Sequence, residues 1–325
     1  MEKIYKIVID TKGSDKGQEM MVKGAIMALD EYKNLGVCIV GDASVIEAIT
    51  KERPDLSERI EIVDAPEEIN NYDSPATALF EKPNSSLVRA LNLVSTRDDL
   101  TGLINAGSTG ALIAGSMRFL SGKNRVRPAL AAVLPAETGG FTCLVDTGAT
   151  IDCSAETLLH FAHLGTDFMR RLYRIENPKV GLLSNGAEPT KGNKVVKEAH
   201  ALLRDAEGIN FIGNIEGTGA LSGACDVLVC DGFAGNQVLK VTEGIARRII
   251  TDIVKYSKAT GNPELMKLVG HLMAMYDFNS LGGGIILGVE KPVIKAHGAA
   301  NEKSIVSTAG MLLNMAENKE IFDGK

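Results

Sequence analysis

No stretch of this sequence reaches the roughly 18 uncharged apolar residues that would cross a bilayer. No signal-peptide pattern opens it either, because Lys6 and Asp10 interrupt the short apolar run near the amino terminus. A cytoplasmic protein is expected. Cysteine is scarce: five residues without a CxxC spacing give no disulfide framework, and the five histidines form no HExxH, so no metal site is expected. GxGxxG is absent. The stretch 185–192 is no Walker A loop, since its lysine precedes the last glycine and no GK[ST] follows. No cofactor is expected on these grounds. Positive charge is also short: a formal net charge of −6 argues against nonspecific nucleic-acid binding. No Pro- or Ser-rich linker and no repeat interrupts the 325 residues, so a single compact unit over 1–325 is expected.

What is present reads as an ordinary globular chain, 45% apolar and 23% charged. Short apolar runs predict strands over 4–10, 37–40, 60–63, 102–104, 129–134, 142–145, 180–183, 209–212, 227–230 and 292–295. Between them, helical spacing predicts helices over 20–29, 45–51, from Ser85, over 111–120 and over 155–173. The stretch through Pro66 and Pro75 reads as loop, and 241–276 stands apart as a helical excursion. This alternation predicts a mainly parallel sheet with helices on both faces.

Four loops share one grammar, a buried strand, then glycine with small polar residues, then a helix start: 10–17, 105–110, 185–192 and 231–236. In a parallel sheet these loops share the carboxyl edge. Glycine lets backbone N–H groups approach a ligand, and helix amino termini favour anions, so the set predicts a cradle for free phosphate. The plainer reading of any one loop is a tight turn. Candidate residues at this edge are Asn105, Gly107, Ser108, Thr109 and Gly110, then Asp146 and Gly148, then Asp231, Gly232 and Gly235. Lys191, placed at a helix start, could neutralise phosphate; Asn236 offers an amide; Asn214 and Glu216 sit in another turn; His297 follows a strand. Cys153 and Cys230 read as inert, with no histidine near either in sequence.

Several of these segments, in order, resemble one family. Asn105–Leu112, Arg127–Leu130, Val145–Ala149 with Ile151–Cys153, Gly181–Leu183, Gly213–Gly217, Asp226–Asn236 and Pro292–Gly298 are similar to the PlsX family, the acyl-ACP:phosphate acyltransferases. The resemblance covers nearly the whole chain. It implies a three-layer α/β/α sandwich of the isocitrate/isopropylmalate dehydrogenase-like kind, related to phosphotransacetylase, and a homodimer. It implies transfer of a fatty acyl group from an acyl carrier protein thioester to inorganic phosphate, giving acyl phosphate for phospholipid synthesis. The chain departs from the family pattern at Lys12, Ser14, Phe80, Ser108 and Thr150, and again in 281–284. Those departures keep a CoA thioester open as donor, and with it a phosphotransacetylase-like or reductase-complex role forming acetyl phosphate. A non-catalytic partner subunit is a further alternative.

Dianionic phosphate is already nucleophilic and a thiolate leaves readily, so the chemistry needs positioning and oxyanion stabilisation more than a strong base. Lys191 and loop amides are expected to hold phosphate, Asn236 the thioester oxygen, and His297 to orient phosphate or protonate the departing sulfur. An acidic carrier protein would dock on arginines such as Arg170, Arg171, Arg174, Arg247 and Arg248, which read first as solvated faces. The stripe Leu265, Leu268, Val269, Leu272 and Met273 reads first as dimer or core packing and second as peripheral membrane contact.

Overall fold

The computed structural model describes residues 3–121, 127–276 and 283–317. The first half of the chain runs β1 (Tyr5–Asp10), α1 (Gly17–Glu31), β2 (Leu35–Gly41), α2 (Ala43–Thr50), a 3-10 turn (Pro54–Arg59), β3 (Ile60–Asp64), α3 (Pro75–Glu81), α4 (Ser86–Thr96), β4 (Leu100–Asn105), α5 (Thr109–Leu120), β5 (Ala129–Pro135) and β6 (Phe141–Val145). There follow α6 (Ala155–Tyr173), β7 (Lys179–Leu183), α7 (Lys194–Arg204), β8 (Asn210–Ile215), a 3-10 turn (Gly217–Leu221), β9 (Val227–Val229), α8 (Gly232–Thr260), α9 (Glu264–Tyr276), β10 (Gly284–Leu287), β11 (Val293–Lys295) and α10 (Glu302–Glu317).

Contacts group the chain into two units, Met1–Pro128 with Asn279–Lys325, and Ala129–Phe278. Composition gives no sign of the first crossing, because Pro128 passes directly into the apolar strand β5.

The first unit has strand order β3-β2-β1-β4-β11-β10, parallel throughout except where β10 runs against β11. Every residue of β2 is buried, as expected of a strand covered on both faces, whereas the edge strand β3 is half-exposed. One cover is α1 packed on α10 and α2; the other is α4 packed on α5, with α3 beside α5. The register aligns Asp10 with Asn105 and Asn105 with Lys295, so the loops after β1, β4 and β11 leave from one level.

The second unit has strand order β5-β6-β9-β7-β8, antiparallel only at β5–β6. α6 and α7 pack together, with α6 against β9 and β6. Leu134, Leu144, Ala220, Cys225, Leu228 and Cys230 form a buried cluster, lined further by Ala234 and Val238 of α8. Ser154 caps α6 through Thr157 N (3.2 Å), and Arg174 ends it in the left-handed region. The helices of each unit thus sandwich a mostly parallel sheet, the three-layer arrangement expected from the sequence.

The helical excursion is two helices. α8 begins at Gly232, nine residues ahead of expectation, and ends at Gly261 in the left-handed conformation before Pro263. Val241, Ile245, Ile249 and Tyr256 of α8 are exposed, as are Met266, Leu268 and Met273 of α9; of the expected stripe only Val269 is buried. No helix among the described residues is long and apolar enough to cross a membrane.

Candidate active site

The carboxyl edge of the first unit is held by a buried carboxylate. Asp10, 1% exposed, accepts from Asn105 Nδ2 (2.8 Å) and Lys12 N (3.2 Å), and Asn105 Oδ1 accepts from Gly107 N (3.0 Å). Burial is the largest influence on Asp10 and pushes its pKa from an ordinary 3.8 to about 6, against hydrogen bonds from Ser86, Lys12 and Asn105. Gly13 sits at φ +79°, and a Cβ there would stand 2.5 Å from Gly107 Cα, so only glycine lets the β1 and β4 loops meet. Ser108 caps α5 towards Ala111 N, with Thr109 and Gly110 as its first residues. Lys295 Nζ donates to the carbonyls of Ala106 (3.1 Å) and Ala296 (2.6 Å), and Asp15 N donates to Gly298 O (3.0 Å). His297 is exposed in that third loop, and its Nδ1 accepts from Ala299 N (3.1 Å), which puts the proton of a neutral ring on Nε2.

In the second unit Asp146 plays a similar inward part. Its carboxylate is wholly buried and receives N–H groups from Leu130 (2.8 Å), Gly148 (3.3 Å), Ala149 (3.1 Å) and Thr150 (2.7 Å). Burial raises its pKa, opposed by those four donors. The residue shapes the loop rather than facing a ligand. Gly148, at φ +142°, supplies the backbone conformation the loop needs. Asp231 likewise turns its carboxylate onto Ala234 N (2.7 Å) as the cap of α8. Gly232 N donates to Thr150 O (2.7 Å), and a Cβ on Gly235 would overlap the Asp146 carbonyl. Asn236, in the first turns of α8, donates Nδ2 to Thr147 O (3.2 Å) at the rim of this cluster. Cys230 is buried with its thiol against Asp146 O, and burial pushes its pKa well above the ordinary value, which keeps it a thiol.

Lys191 belongs to the adjacent loop between β7 and α7. It was expected at a helix start, but Asn193 caps α7, taking Val196 N at 2.9 Å, so Lys191 lies in the loop two residues ahead of the cap. Its side chain is exposed. Asn185 Oδ1 accepts from Gly192 N (2.8 Å), and Glu188 O accepts from both Lys191 N (3.0 Å) and Asn214 Nδ2 (2.8 Å). Asn214 is 5% exposed on β8 and meets His200 Nδ1 of α7 at 3.0 Å. Glu216 is exposed, and its carbonyl takes Gly219 N at 2.8 Å.

The sequence-chosen residues therefore form defined clusters. Asn105, Gly107, Ser108 and His297 lie on hydrogen-bonded loops of the first unit. Asp146, Gly148, Asp231, Gly232, Gly235 and Asn236 make one cluster in the second, and Lys191 with Asn214 makes another. Sequence reading passed over Asp10 as an individual residue, and also Lys295, Asn185 and His200. Partners on other elements give Asp10, Lys295 and His200 their contacts, whereas Asn185 clamps its own loop. At the departures, Thr150 Oγ1 is buried without a partner among the described residues, and exposed Phe80 lies 4.0 Å beneath the Arg118 guanidinium. Leu281 and Gly282 lie outside the described residues. Of the arginines considered for docking, Arg170 holds the carbonyls of Glu176 (3.1 Å) and Gly208 (3.1 Å), and Arg248 pairs with Asp252 (2.7 Å).

Mostly parallel sheets sandwiched by helices place the chain in a three-layer class of α/β fold. Two solved structures share it: a phosphotransacetylase from Streptococcus pyogenes (TM-score 0.61, 18% identity, covering 98% of this chain and 94% of that one) and EutD phosphotransacetylase from Staphylococcus aureus (TM-score 0.59, 17% identity, 96% and 94%). Within that class the chain belongs to the PlsX family of phosphate acyltransferases. The family model described as "Fatty acid synthesis protein" matches residues 5–320. The chain is 41% identical to the phosphate acyltransferase of Halothermothrix orenii over 92% of its own length and 91% of the relative's. It is 37% identical to that of Caldanaerobacter subterraneus subsp. tengcongensis over 96% and 94%.

Proposed function

We propose that this chain transfers a fatty acyl group from an acyl carrier protein thioester to inorganic phosphate. The observation that carries this is similarity to phosphate acyltransferases along more than nine-tenths of both chains. A phosphate oxygen attacks the thioester carbonyl, a C–O bond forms, and the C–S bond breaks as the tetrahedral oxyanion collapses. The carrier thiolate leaves and takes a proton. Lys191 supplies positive charge to phosphate, which an exposed side chain on a clamped loop suits. Asn236 has one N–H on Thr147 O, and its second is directed to the thioester oxygen. Asp146 and Asp231 act through loop shape.

The reading extends to assembly and place. The exposed apolar residues of α8 and α9 form the face on which a second copy pairs, in a cytoplasmic homodimer. Contact of that face with the inner surface of the membrane is its second use.

The test is to supply palmitoyl carrier protein or acetyl-CoA with inorganic phosphate and capture acyl phosphate as the hydroxamate. Phosphate-dependent product from the carrier protein is expected. Product from acetyl-CoA alone would replace this with a phosphotransacetylase role, and none from either would point to a partner subunit.

A further inference from the structure

We infer that His200 is a positioning residue for Lys191, acting through Asn214. The inference rests on the assignment of Lys191 to phosphate. Glu188 O is a carbonyl and can only accept, so the Asn214 atom 2.8 Å from it must be the NH2 group. That orientation turns Asn214 Oδ1 towards His200 Nδ1, 3.0 Å away. Two acceptors cannot share that contact, and His200 therefore carries its proton on Nδ1. An edge-on contact with the Phe211 ring, centroids 5.0 Å apart, holds the imidazole in the required plane.

The chain of contacts ends at the functional side chain. Asn214 fixes Glu188 O, and the same carbonyl receives Lys191 N at 3.0 Å, which closes the turn that presents the lysine. The stem of Lys191 then lies over Gly186, where an added Cβ would come within 2.7 Å of Lys191 Cγ. Without the histidine donor, Asn214 is free to rotate, Glu188 O loses its buried partner, and the ammonium spreads over more positions. A buried amide such as Asn214, 5% exposed, holds one orientation only while both ends are satisfied.

The experiment uses His200→Leu, which removes the donor, and His200→Asn, which places an N–H near the position of Nδ1. His200→Leu is expected to raise the KM for inorganic phosphate about tenfold, a shift of about 1.4 kcal/mol, with the thioester KM unchanged. His200→Asn is expected to restore most of it. On a Lys191→Ala background, His200→Leu should add no further change. Equal effects of the two variants, or parallel rises in both KM values, would overturn the inference. If Lys191→Ala leaves the phosphate KM alone, the lysine assignment falls and the relay with it. If Lys191→Ala raises it and His200→Leu does not, the relay alone falls. A long-range 1H–15N spectrum of the native protein gives a readout independent of activity: protonation at Nδ1 is expected, and a neutral ring protonated only at Nε2 would contradict the relay.

Discussion

A carboxylate sealed beneath a sheet edge is driven towards its neutral form, and Asp10 shows the consequence. Its pKa is raised from 3.8 to about 6 by burial, so the protonated form favours the folded state. The stabilising contribution is complete below about pH 4 and is lost as pH rises through 6. Between pH 4 and pH 7 the stability of the native chain should fall relative to Asp10→Asn by on the order of 2 kcal/mol, measured by urea unfolding at each pH. A constant difference would mean that the carboxylate is ionised throughout. Asp146 and Asp231 stand beside glycine loops in the sequence, where an acid reads as a ligand to substrate, and Asp10 opens another such loop. The structure turns Asp10 and Asp146 inward onto backbone N–H groups and side-chain amides, and sets Asp231 onto a helix terminus. Residue type marked the place. For Asp10 and Asp146, orientation also depended on partners 95 and 16 positions away, Asn105 and Leu130, whereas Asp231 is oriented by its own helix start.

At the scale of elements, the start of α8 was hidden because Gly232 and Gly235 weaken a helix by about 1 kcal/mol each relative to alanine. They are there because the first turn lies against the Asp146 loop, where a side chain would collide. Asp231 offsets part of that weakness as the cap. Asp231→Ala should lower stability by about 1 kcal/mol in thermal unfolding, whereas Asp231→Asn, which keeps the accepting oxygen, should hold it nearly unchanged. An equal loss in both would assign Asp231 some role other than the cap. The sequence reads as loop through Pro75 because proline looks like a breaker, yet at the first position of α3 it gives up no hydrogen bond. By contrast α6 appears over its full expected span, since its cap, apolar spacing and basic end all agree.

At the scale of the molecule, the apolar residues exposed on α8 and α9 form the face on which pairing is proposed. Val241, Ile245 and Ile249 recur every four residues and are each more than half exposed, a long apolar row for a surface helix. Ile245→Lys combined with Ile249→Lys should convert a dimer to a monomer in sedimentation, with the far-ultraviolet spectrum unchanged. A persisting dimer would place the interface elsewhere. Sequence spacing located this helical region and reads its stripe on α9 first as dimer or core packing; Leu268 and Met273 are exposed in the single chain, and spacing cannot tell a face turned to the core from one turned outward.

The order of strands, helices and glycine loops was set by short-range physics: apolar period, caps and turn residues act within a few positions, and the sequence states them directly. The same holds for membership in the family, whose segments recur in order along the chain. What tertiary structure alone decided is which side chains meet. Asp10 finds Asn105, Asn214 finds Glu188 and His200, and Asn236 finds Thr147 only after separate strands are laid in register. Those contacts are set by the pairing of distant segments, and a linear reading holds no distance between them.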